Sequence, residues 1–131
     1  MTCVVYNELK GPLVGLTLWA GDSNVEQTVR EALNAGCRYF KCSEQSDFGR
    51  VGEALKAAME EGLVTREDLR VAGELNDITV VDVESHLRNA LLRLQLGYFD
   101  IYMIRFPAEM EMTKETTSVV IELWKKVETL F

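Results

Sequence analysis

Four short apolar runs alternate with amphipathic stretches along this chain, their cores beginning near Gly15, Arg38, Arg70 and Phe99, at steps of 23, 32 and 29 residues. A strand, a covering helix and two connections fill a step of that size, whereas a hairpin needs far less chain. The repeat therefore predicts parallel strands joined by right-handed helical crossovers. The strands read as VGLTLW (14–19), RYFKC (38–42), LRVAGEL (69–75) and YFDIYMI (98–104). Runs this apolar are expected to be covered on both faces.

The intervening helices carry their own start and stop signals. In the first, Ser23 followed by Glu26 predicts a capping box, Val25, Val29, Ala32 and Leu33 share a face, and Gly36 is the stop. The second places Val51, Ala54, Leu55, Ala58 and Met59 at helical spacing, stops at Gly62, and is followed by TRED (65–68), which predicts another capped turn. The third carries Val83, Leu87, Ala90, Leu91 and Leu94 and is expected to end at Gly97. His86 lies beside that face, has no ligand at metal spacing, and is assigned no role. In the fourth, Val119, Val120, Leu123, Trp124, Val127 and Leu130 form the apolar face, and the pattern reaches Phe131 without a glycine, as if cut off. Before the first strand, VVY (4–6) and PLV (12–14) flank a polar turn and predict a hairpin that could plug the bottom of a barrel.

With 131 residues, 47% of them hydrophobic, the chain has room for one compact domain over 1–131 and no second. Its formal charge of −7, with no basic stripe, argues against nucleic acid and anionic lipid as partners. The apolar stretch from Leu13 to Ala20 is broken by Gly15 and Thr17 and is too short for a membrane span. The opening MTCVVYNELK lacks the basic and apolar segments of a secretory signal, so a cytoplasmic setting is expected. Cys3, Cys37 and Cys42 are odd in number and form no Cys-x-x-Cys pair, which predicts ordinary buried thiols and no metal site. A small doubly wound sheet remains an alternative fold, although Gly15 is followed by Leu16, Thr17 and Leu18 and no Gly-rich phosphate loop joins a strand to a helix.

The segments GPLVGLTLW (11–19), AGCRYFKCS (35–43), VGEAL (51–55), TREDLRVAGEL (65–75) and LRLQLGYFDIYMIRFP (92–107), in this order and spacing, resemble the aldo-keto reductases. The resemblance implies half of a TIM-type (β/α) barrel, an N-terminal hairpin followed by four β/α units. A full barrel takes roughly 250 residues, so one such chain does not close alone. In the family a hydride passes to a carbonyl while a Tyr donates the proton, a Lys paired with an Asp lowers that Tyr's pKa, and a His orients the substrate. By the resemblance the aspartate's position holds Lys41, the tyrosine's Ser46, the lysine's Glu74 and the histidine's Arg105. The spacing from Ser46 to Val51 and Gly52 is one residue short of the family's, but the neighbours Gln45 and Asp47 are not tyrosine either.

Those four replacements leave no catalytic residue to assign, and because the resemblance places much of the family's NADPH site in the second half of the barrel, no cofactor-binding residue is assigned either. Serine without an adjacent base is a poor proton donor, and an always-charged arginine is no general acid, although it can hold an oxyanion. Lys41 and Glu74 are an opposite-charge pair with the family's signs exchanged, expected to meet on neighbouring strand ends; the alternative is that each is separately solvated. The resulting expectation is a catalytically inactive, truncated aldo-keto reductase homologue acting as a structural or assembly subunit. A protein partner or a second copy would cover the open edges of the first and fourth strands. The alternative is an NADPH-dependent carbonyl reductase completed in trans by a second polypeptide. A product without function, motivated by the stop at Phe131, is a third reading.

Overall fold

The computed structural model describes residues 14–19, 21–43, 46–79, 82–106 and 108–130. Apart from Val14, the expected N-terminal hairpin lies outside them, as do Cys3 and Gln45. The elements alternate as the spacing predicts: β1 (Leu16–Leu18), α1 (Val25–Asn34), β2 (Tyr39–Ser43), α2 (Phe48–Glu60), β3 (Arg70–Leu75), α3 (Val83–Leu94), β4 (Ile101–Ile104) and α4 (Lys114–Glu128). The strands form one sheet in the order β1-β2-β3-β4, and every pairing is parallel. A doubly wound sheet reverses its order at a switch point, and this one does not. The fold is a parallel four-stranded sheet with four helices, the element and strand order expected of half a TIM-type barrel.

Side chains alternate across each strand, so register decides which residues meet the helices. Leu18, Phe40, Cys42 and Val71 face Val25, Val29 and Leu33 of α1, Val51 and Leu55 of α2, and Ala90 and Leu94 of α3 in the main core. Burial pushes the Cys42 thiol up to about 12, as suits a packing residue. Leu75 joins Val83 of α3 with Leu123 and Val127 of α4 in a second cluster. The other face carries Thr17, Lys41, Ser43, Ala72, Glu74, Ile101 and Met103. Covering on both faces was expected. Among the described residues the helices pack against one face only, and β4 is half-buried throughout.

Three helices end in the same way. Cys37 N–H donates to Ala32, Leu63 N–H to Ala58 and Leu96 N–H to Leu91, each closing a six-residue loop over a left-handed residue. Gly36 and Gly62 fill that position as expected, at φ 86° and 74°. In α3 it is filled by Gln95, at φ 55°, and not by Gly97. The chain must turn there to bury Leu96 and Phe99, and an earlier stop achieves that.

Other boundaries also differ from the sequence pattern. The Ser23–Glu26 capping box does not form: α1 starts one residue later, after Asn24, with no side-chain cap. Asp22 Oδ1 instead accepts the Asn24 N–H at 2.8 Å, and the Arg50 guanidinium donates to the carbonyls of Asp22 and Ser23, so the chain is held before Ser23 can cap. Strand β1 is trimmed to three residues. Strand β4 starts at Ile101 and not at Tyr98, because the Asp100 carboxylate takes the Val71 N–H at 2.8 Å and occupies the ladder position. On α4 only Leu123 and Val127 are buried, while Val119 and Trp124, expected in the core, are exposed.

Candidate functional site at the strand ends

Parallel barrels carry their chemistry at the carboxyl ends of the strands, where side chains from different strands converge. Register puts Ser43 opposite Glu74, and Glu74 opposite Met103. Lys41 lies two residues before Ser43 on the same face and reaches Glu74 Oε2 diagonally in an ion pair. Arg105 follows β4; its N–H donates to the Leu75 carbonyl at 2.8 Å, and its Nη1 stands 3.7 Å from Glu74 Oε1. Each oxygen of Glu74 therefore faces a cation. The Glu74 side chain is 5% exposed, Lys41 31% and Arg105 61%. A carboxylate so buried is tolerated because it is paired, and the exposed Arg105 contributes less than Lys41.

Ser46 does not join this cluster. In the turn after β2 its Oγ accepts the Ser43 N–H at 3.1 Å and donates to the Leu18 carbonyl, tying β2 to β1. It is 4% exposed, and its single proton is spent on backbone. Asp47 caps α2, accepting the Arg50 N–H at 3.2 Å. Thus three of the four predicted positions come together, and the fourth serves as a backbone tie.

Two features here were not read from the sequence. The Arg105–Glu74 contact has no sequence signal, because it depends on where the chain leaves β4. Asn76, just beyond β3, has a buried Oδ1 without a hydrogen-bond partner. Asparagine after a strand is common in turns, so nothing marks it beforehand.

At the opposite end of the sheet, Asp100 Oδ2 also accepts from Arg66 Nη2 at 2.8 Å, and Arg70 Nη1 lies 3.6 Å from Oδ1. The Arg66 guanidinium stacks over Tyr98, 3.8 Å from the ring centroid. Polar order at that end reads as stability. Grooves of about 220 and 350 Å³ lie along α3 and its contacts with Leu130, on the helix layer and away from Lys41 and Glu74.

Groups able to hold a dinucleotide's phosphates are scarce at the strand ends. Lys41 is committed to Glu74, and Arg50 to the carbonyls before α1. Among the described strand-end cations the solvent side of Arg105 stays open, and one exposed guanidinium does not make a phosphate cradle. The described residues contain no group of three or more His, Cys, Asp or Glu placed to hold a metal ion.

No family model matches the chain. It is 37% identical over 107 residues to aldo-keto reductase family 1 member A1 of Mus musculus, covering 78% of this chain and 33% of that protein. It is 39% identical over 107 residues to an NADPH-dependent aldose reductase of Saccharomyces cerevisiae, covering 77% of this chain and 32% of that one. Among solved structures, an aldo-keto reductase of Bombyx mori in complex with NADP superposes with a TM-score of 0.66 at 37% identity, over 73% of this chain and 34% of that chain. The chain spans about a third of the length of the curated relatives it matches.

Proposed function

The chain is an aldo-keto reductase relative, matching part of that family's barrel, and from that premise we propose that it is catalytically silent and works as a structural or assembly subunit through protein contacts. The observation that carries this is the Lys41–Glu74–Arg105 cluster: the positions that the resemblance assigns to tuning the proton donor and orienting the substrate hold a buried carboxylate neutralised from both sides. General acid catalysis needs a group that can release its proton to the substrate and be tuned to do so. Ser46, which the resemblance puts in the tyrosine's place, spends its proton on the Leu18 carbonyl.

A second reading, an NADPH-dependent carbonyl reductase completed in trans by another polypeptide, draws support from the relatives: the yeast protein is NADPH-dependent and the silkworm structure holds NADP. The residues of this chain weigh against it, since Lys41 and Arg50 are already engaged. Trp19 and Trp124 are both exposed and serve as reporters. Titration of the protein with NADPH, followed by tryptophan fluorescence, is expected to show no saturable change at micromolar cofactor. Saturation in that range would favour the reductase.

A further inference from the structure

Large apolar side chains exposed on this protein are unevenly placed. Val14 and Trp19 flank β1, Phe106 and Met112 follow β4, and Val119, Ile121 and Trp124 sit on α4, while Leu92 on α3 and Tyr98 just before β4 stand apart. The first seven belong to the first and last β/α units, the two whose outer edges have no strand neighbour among the described residues. Patches of this kind on a soluble fold mark an interaction surface.

The helix layer says what fits there. Lys126, Thr129 and Leu130 share a groove with Asp82 and Val83 and so turn towards α3. At about 100° per residue, Ile121 and Trp124, 48% and 51% exposed, then stand on the opposite flank of α4, beyond the β4 edge. On α1, Arg30 reaches Glu61 just beyond α2, which puts Thr28 and Ala32 on the flank away from α2, beyond the β1 edge. Both are half-buried and small. One edge thus offers bulky apolar side chains and the other small, half-buried ones, of which Ala32 also packs on the main core, with all strands parallel and the helices on the same face.

We infer that the partner is a second copy of this chain, joined by parallel pairing of β4 with the other copy's β1 while Ile121 and Trp124 pack on its Thr28 and Ala32. The joint is made twice around a two-fold axis, which leaves no edge and closes the ring. It encloses eight strands, the number whose interior side chains can fill. The same operation brings two Lys41–Glu74–Arg105 clusters to one end of the barrel. Strands of three and four residues give a short ladder, so apolar burial by the helices must drive the association. Two chains of charge −7 repel, so added salt should tighten it.

The inference rests on the reading that the chain works through protein contacts, and sedimentation equilibrium with hydrogen exchange separates the two. At micromolar concentration the mass should be twice 14.8 kDa, and the amides of both β1 and β4 should exchange at least tenfold more slowly than in the diluted monomer. Trp124→Lys and Ala32→Arg should each weaken the dimer tenfold or more, whereas Leu92→Lys, at an exposed apolar site on α3, should not. A monomer throughout, open-ended growth, protection at one edge only, or a dimer indifferent to both variants would each overturn the closed pair. Silence towards NADPH in a monomer would sink only this inference, and turnover by a dimer only the silent reading.

Discussion

Gly52 of α2 lies against the backbone of Leu94 at the end of α3, so closely that a Cβ on it would stand 2.5 Å from the Leu94 carbonyl oxygen. The obstacle is main chain, which cannot swing aside. An alanine there would gain about 1 kcal/mol of helix propensity, but overpacking costs about 1–3 kcal/mol. Gly52→Ala should therefore lower the urea midpoint. Gly21→Ala, where a Cβ meets nothing within 4 Å, should leave it within about 0.5 kcal/mol.

Lys41 and Glu74 should be energetically coupled. Removing either charge leaves its partner poorly compensated at a strand end, and removing both leaves no unpaired charge. A double-mutant cycle with Lys41→Met and Glu74→Gln should show a coupling of about 0.5–3 kcal/mol. Arg105→Gln should cost less, about 0–1 kcal/mol, because that side chain is largely solvated. Additive effects would mean that the pair holds nothing together.

Asp100 compensates Arg66 and Arg70 and also satisfies the Val71 N–H. Asp100→Ala leaves a nearly buried Arg66 without its carboxylate and should cost about 3 kcal/mol or more in equilibrium unfolding. Asp100→Asn, which keeps an acceptor for Val71, should cost less.

Acid should destabilise the fold through its caps and turns. Hydrogen bonds from the Thr65 and Thr79 hydroxyls, and then from their N–H groups, hold Asp68 and Asp77 below the ordinary 3.8. The Ser85 N–H does the same for Asp82, and Arg30 lowers Glu61 from 4.5. Carboxylates depressed in the folded state contribute stability above their unfolded values and lose it as pH falls through the folded ones. Urea midpoints should be flat from about pH 7 to about pH 5 and drop below about pH 4. A midpoint unchanged at about pH 3 would contradict this.

What the sequence made legible was local or periodic. Strand spacing, the Gly36 and Gly62 stops and the apolar stripes of α1 to α3 all depend on residues near one another in the chain. The Lys41–Glu74 pair was also readable, since it follows once the neighbouring strands are identified. The start of β4 was not, because Asp100 competes for the ladder through its side chain, 29 residues from Val71. Nor was the loss of the Ser23 cap, which depends on Arg50 of another helix. Ser46 as a tie to Leu18 needs the turn after β2, and its motif spacing gave no hint of that.

The most direct measurement is steady-state NADPH consumption by the purified 131-residue chain with a panel of simple aldehydes. The account predicts no rate above the protein-free control, in the wild type and equally in a variant carrying Lys41→Asp, Ser46→Tyr, Glu74→Lys and Arg105→His, because restoring the acid adds no phosphate cradle to the described strand ends. Carbonyl-dependent oxidation by the wild-type chain would contradict the central claim that these positions hold strands together without moving a proton.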